Sequence, residues 1–166
     1  MAVPVAGKVL LDTNVFVDYL RVGLHTEWVF GRVGNTIRFL SAVVLMELRL
    51  GADTPRRKRA VDRIKSAFPP GRLIAPAPQL FDHAGRLFHT LYGDGSGVVD
   101  RLGPLNDLLI ALTARQIGAT VVTGNLNEFR RIAAQVPGLR IVAPAQELSK
   151  KPCLSKRNVT AFITFY

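Results

Sequence analysis

Residues 8–20 read KVLLDTNVFVDYL, and the change of pattern inside that run constrains the fold more than any other stretch. Val9, Leu10 and Leu11 form the continuous apolar run that a strand buried on both faces requires. Asp12 follows at once, and apolar residues resume at Val15, Phe16, Val17, Tyr19 and Leu20. Asp12 or Thr13 is suited to cap a helix running to about Arg21. An ionised carboxylate at the mouth of so apolar a segment is costly unless charge or hydrogen bonds compensate it. What compensates Asp12 is therefore a question about function.

The same alternation of strand and helix continues along the chain. A short helix is expected at 26–32, then a strand carrying Ile37, Phe39 and Leu40. Ser41 caps a helix, AVVLMELRLGA, that Gly51 closes. TPRRKRAVDRIKSAF has Pro55 in its first turn and Val61, Ile64 and Phe68 on one face. Pro69, Pro70 and Gly71 interrupt, and Leu73 and Ile74 suggest a short strand. A helix over 77–92 should turn Leu80, Phe81, Leu87, Phe88 and Leu91 inward, and GDGSG at 93–97 should be a loop. Pro104 is expected to start the next helix, which Gly118 closes. A strand ATVVT, a short helix NLNEFRRIAAQ and a last strand LRIVAP complete the pattern. Strands alternating with helices imply an α/β fold with a mostly parallel sheet.

The 166 residues suit one domain, expected over 1–147. From about Leu148 the chain becomes a mixture of basic and β-prone residues, and 148–166 is read as an extension whose role the sequence does not assign. Hydrophobic residues make up 48%, which argues against wholesale disorder. The net charge of +10 favours an acidic partner, nucleic acid being the commonest. A single cysteine, Cys153, forms no internal disulfide and fits a reducing cytoplasm. No apolar run approaches the roughly 20 residues of a membrane span, and MAVPVAGK is too short and too weakly basic for a secretory signal.

Against this basic background three acids stand in apolar company: Asp12 after Val9–Leu11, Glu47 within VVLMEL, and Asp107 at the head of DLLIAL. Each has an ordinary use. Asp12 can cap a helix, Asp107 can favour a helix N-terminus through the dipole, and Glu47 can pair with Arg49 or Arg115. Together they form an oxygen-ligand set of the kind that Mg²⁺ and Mn²⁺ prefer. A divalent ion supplies the charge that lets clustered acids coexist. In open parallel sheets the ligand crevice lies beyond the carboxyl ends of strands, where Asp12 and the hydroxyl of Thr123 both fall. A basic protein with an acidic, apolar-lined pocket suggests metal-dependent phosphodiester chemistry.

These residues resemble a known family. LLDTNVFVDYL is similar to the first motif of PIN-domain nucleases, SAVVLMELRLGA to the second, and NDLLIALTARQIGATVVTGNLNEF to the third and fourth. Order, local sequence and length are similar to the VapC-type toxins of bacterial toxin–antitoxin pairs, over about residues 8–143. The resemblance implies a PIN-like α/β/α sandwich with a mostly parallel central sheet. It implies an endoribonuclease that uses Mg²⁺ or Mn²⁺ to hydrolyse RNA, blocked by a small antitoxin, with a homodimer as the expected assembly. Carried over by position, Asp12, Glu47 and Asp107 are catalytic and metal-binding, Thr123 hydrogen-bonds near the site, and Asn14 either orients a carboxylate or caps the helix. Many members of the family carry a fourth acid at or just after the strand-end Thr. Here Asn125 holds the first such position and Glu128 the second, so Asn125 is a supporting residue and Glu128 a further candidate ligand. The shortage of acids motivates an alternative, a non-catalytic PIN-like RNA-binding or regulatory domain.

Other features are weaker. His25, His83 and His89 lack zinc spacing. GDGSG lacks the Lys of a phosphate-binding loop. Asp18, six residues past Asp12, does not return to the same helix face and is read as peripheral. Arg56, Arg57, Lys58 and Arg59 form either a solvated helix face or a contact for RNA phosphates. Trp28 and Phe30 are read as core before dimer contact or antitoxin groove.

Overall fold

The computed structural model describes residues 6–144, except 32, 95 and 97–99. Five strands, β1 (Gly7–Leu11), β2 (Thr36–Ser41), β3 (Leu73–Ile74), β4 (Thr120–Val122) and β5 (Arg140–Val142), form one sheet in the order β3-β2-β1-β4-β5. Every pairing is parallel. Among the described residues seven helices flank the sheet: α1 (Thr13–Val22), α2 (Thr26–Phe30), α3 (Ala42–Leu50), α4 (Pro55–Ser66), α5 (Pro78–Tyr92), α6 (Leu102–Ile117) and α7 (Leu126–Ala133). The expected α/β/α sandwich with a parallel sheet is what forms. The extension at 148–166 and its boundary at 147 lie outside the described residues.

β1 is the middle strand because Val9, Leu10 and Leu11 are wholly buried, and only an interior strand offers two covered faces. The chain leaves β1 for β2 on one side and returns through β4 on the other. The order thus reverses at the carboxyl end of β1, where doubly wound sheets open a crevice. α6 packs over β1 and β4 and is buried continuously through its middle, from Leu108 through Ala114. Its two-sided burial reads in the sequence as an almost unbroken apolar run.

Four local departures from expectation have simple causes. α6 starts at Leu102, so Pro104 sits inside the first turn, where its missing N–H costs nothing. α2 ends at Phe30 because Gly31 adopts φ 76°, and the Arg38 guanidinium lies 2.6 Å from where a β-carbon of residue 31 would stand. Phe81, expected inward, is 55% exposed. Leu87 and Phe88 face the core as expected, Ala84 with them, and 81 falls on the outer side of α5. The short α7 ends at Ala133 rather than running to 135. Trp28 is core, as read, and Phe30 is half-buried against it with its ring edge on Tyr19.

Candidate active site: carboxylates at the sheet switch point

Asp12 ends β1 and caps α1, its Oδ1 accepting from the Thr13 backbone N–H at 2.7 Å. Its other oxygen accepts from Thr123 Oγ1 at 2.8 Å and from Asn14 Nδ2 at 2.6 Å. Asn14 also donates to Thr123 Oγ1, and its Oδ1 accepts from the Gly124 N–H at 2.9 Å. Asn14 is thus an orienting residue and not the cap; it ties the end of β1 to the turn after β4. Register explains why these residues meet. Leu11 pairs with Val122, so the residues that follow each strand, Asp12 and Thr123, fall side by side.

Glu47 lies in the second turn of α3, which Ser41 caps through its contact with the Val43 N–H. Both pairings considered for it are absent. Arg49 bonds Asp62 at 2.5 Å and Arg115 donates to the Pro137 carbonyl. Glu47 instead accepts from Thr13 Oγ1 and, at 2.9 Å, from Asn106 Nδ2. Thr13 therefore serves two acids at once, with its backbone on Asp12 and its hydroxyl on Glu47. Asn106 is 2% exposed and immediately precedes Asp107 on α6. The sequence offers Thr13 only as a possible helix cap and does not mark Asn106 at all. The available signal was polarity inside apolar helix heads, a signal that ordinary capping residues share.

Asp107 lies past the first turn of α6, so the dipole of that helix does not account for it. Burial raises its carboxyl to about 8, and Asp12, Glu47 and Glu128 each push in the same direction. Burial also raises Asp12, but the Thr123 hydroxyl and the Thr13 N–H oppose it and hold that carboxyl at about 6. Glu128, in the first turn of α7, accepts from the Tyr92 hydroxyl. Of the two positions left open after β4, Glu128 turns toward the acids. Asn125 contributes its backbone N–H to Thr123 Oγ1, and its side chain caps nothing.

Asp12, Glu47, Asp107 and Glu128 therefore share one electrostatic neighbourhood. Among the described residues no three His, Cys, Asp or Glu side chains are disposed to hold a metal ion as they stand. Thr13 and Asn106 engage Glu47, while Tyr92 engages Glu128. The chemistry of the donor set nevertheless fits a hard dication. Four carboxyls meet at a mostly apolar edge, and every influence on Asp107 disfavours its negative charge.

Beside Glu47 a cleft of about 470 Å³ runs between α1, α3 and the start of α6. Val17, Leu20, Leu48 and Leu102 line it, and Arg57 and Asp53 stand at its α4 end. Arg56, Lys58 and Arg59 are exposed on the same helix, whose N-terminal end reaches that cleft. Asp18 faces away and pairs with His25 at 3.5 Å.

No curated protein matches the sequence. The structure is similar to a chain of the DNA-bound VapBC from Salmonella typhimurium, with TM-score 0.59, 27% identity, and 83% of this chain and 98% of that one covered. It is similar to a chain of VapBC2 from Rickettsia felis bound to a promoter DNA fragment, with TM-score 0.60, 26% identity and coverage of 82% and 98%. VapBC-1 from nontypeable Haemophilus influenzae shares the fold at TM-score 0.59 and 23% identity, with 82% and 98% covered. The PIN domain family model matches residues 9–135, a span that contains all four acids and both strand ends, and the chain belongs to the PIN domain family.

Proposed function

We propose that this protein is a Mg²⁺- or Mn²⁺-dependent endoribonuclease, the toxin of a toxin–antitoxin pair, and that Asp12, Glu47 and Asp107 hold the ion with Glu128 beside them. The observation that carries the reading is the meeting of these carboxylates at the switch point of the sheet with no compensating cation among the forces on Asp107. A divalent ion at such a site offsets the carboxylate charge and polarises water and phosphate.

The protein's own residues do the rest. Thr13, Asn14 and Thr123 fix Asp12 by three hydrogen bonds, so its carboxylate needs no reorganisation to bind. Thr13 and Asn106 orient Glu47. Asp107, whose carboxyl burial and the neighbouring acids raise to about 8, would give up its proton to bind the cation. Arg56, Arg57, Lys58 and Arg59 draw the phosphate backbone toward this edge, in keeping with the +10 charge.

The antitoxin is the proposed occupant of the apolar cleft beside Glu47, in keeping with the VapBC complexes among the structural neighbours. The assembly proposed is a homodimer in the reducing cytoplasm; among the described residues no helix is long and apolar enough to cross a membrane.

RNA cleavage with and without EDTA, on the wild type and Asp12→Asn, tests the enzyme. Cleavage that survives the substitution in rigorously purified protein overturns the assignment. One observation favours a second reading, a non-catalytic RNA-binding domain: Glu47 and Glu128 are already engaged by protein donors. That reading expects no Mn²⁺-induced rise in melting temperature, whereas a metal site raises it by mass action.

A further inference from the structure

Tyr92 ends α5, and the chemistry above makes no use of it. Its hydroxyl reaches across 36 positions of sequence to donate to Glu128 Oε1. Arg131, one turn beyond Glu128 on α7, lies over the Tyr92 ring at 4.6 Å from its centroid and donates to the Leu91 carbonyl. The ring is therefore gripped by a cation from α7 while its hydroxyl is aimed at an acid of the same helix.

Docking α7 against α5 would need only the Arg131 contacts. The hydroxyl adds something that docking does not require: it engages one oxygen of a carboxylate close enough to Asp107 to act on its charge. The bond uses Oε1 of that carboxylate. Immediately after the β4 turn, where a charge would complete the acid set, the chain has only the neutral Asn125.

The geometry points to Tyr92 as a positioning residue that fixes Glu128 beside Asp107 as the fourth carboxylate of a divalent-cation site. The inference rests on the metal-site reading of the preceding section and assigns it one further member. A partner that orients a ligand typically accounts for about 10- to 100-fold in metal affinity.

The test is a Mn²⁺ titration of the full chain, read by the shift in melting temperature and by isothermal calorimetry. The proteins are wild type, Tyr92→Phe, Glu128→Gln, the double variant and Asp12→Asn. The phenylalanine ring keeps its seat under Arg131, so the melting temperature in EDTA should hold. Half-saturating Mn²⁺ should rise about 10-fold in Tyr92→Phe and in Glu128→Gln. The double variant should rise no further than the larger single one, because the two residues act through one contact. A Tyr92→Phe curve that overlies the wild type overturns the inference, as does an unshifted Glu128→Gln curve, while the Asp12→Asn loss leaves the metal site itself standing. If the wild type shows no Mn²⁺ stabilisation, the metal reading fails and the inference falls with it.

Discussion

Asp12 and Asp107 sit a few residues from the same sheet edge, yet their surroundings are opposites. Asp12 is the more buried, at 3% exposure, and three donors, two from α1 and one from the turn after β4, surround it. Asp107 keeps more contact with solvent, receives no protein hydrogen bond that lowers it, and faces three other acids. Burial alone would rank Asp12 as the more perturbed. The order is reversed, about 6 against about 8. Preorganised donors thus outweigh a deeper position, and a field of like charge outweighs partial access to water. One half of the site is built and waiting; the other is held under electrostatic strain that a cation would relieve.

Loss of catalysis should be the largest effect. Asp12→Asn should lower Mg²⁺-dependent RNA cleavage by at least about two orders of magnitude, since a bound metal supplies several kcal/mol of charge stabilisation. Its fold should survive, because the amide oxygen can still accept from the Thr13 N–H and keep the cap of α1.

Stability then separates the halves. Thr123→Val removes the donor to Asp12 Oδ2 and the acceptor for the Asn125 N–H. It should cost about 1–3 kcal/mol in denaturant unfolding, and the acid limb of the pH–rate profile should move upward. Asp107→Asn should behave in the opposite way, abolishing cleavage while stabilising the metal-free protein at pH 8. If Asp107→Asn destabilises, the contrast between the two halves is wrong.

The pH dependence has a definite sign. Both carboxyls are raised above the unfolded value of 3.8, so the folded state binds more protons than the unfolded chain between about pH 4 and 8. Stability is then greatest at low pH and falls as pH rises through about 6 and about 8. In EDTA the melting temperature should drop by on the order of 5 °C between pH 5 and pH 8. Mn²⁺ should stabilise more at pH 8 than at pH 5, because binding requires deprotonated ligands. Equal stabilisation at both values would mean that the acids do not ligate.

The smallest effect concerns the basic helix. Arg56→Ala and Arg59→Ala should each weaken RNA binding nearly uniformly and reduce the slope of log affinity against log salt by about one. No change in slope would make α4 a solvated face.

Much of the fold was legible along the chain because buried parallel strands and two-sided helices write themselves as apolar runs with caps between them. The runs at 9–11 and 108–112, Ser41 and Gly118 needed no tertiary information. Phe81 misled, since an apolar side chain on an amphipathic helix can fall outside the stripe without penalty. Asp12, Glu47 and Asp107 stood out for a physical reason: an acid flanked by apolar residues must be compensated wherever it ends up. Thr13, Asn106 and Tyr92 did not, because a polar residue near a helix end has several common uses.

By itself the sequence determined the alternation of strand and helix, the parallel sheet that follows from it, and the three acids that demand compensation. These are local properties, carried by periodicity and by the cost of burying charge. Only the tertiary structure decided that Thr123 and Asn14 partner Asp12 from outside its own strand, that Glu47 passes over its nearby arginines for Thr13 and Asn106, and that Glu128 rather than Asn125 acts on Asp107. Those choices depend on strand register and helix docking across more than 30 positions of chain, and hydrogen bonds and fields act on distances in space that no local pattern encodes.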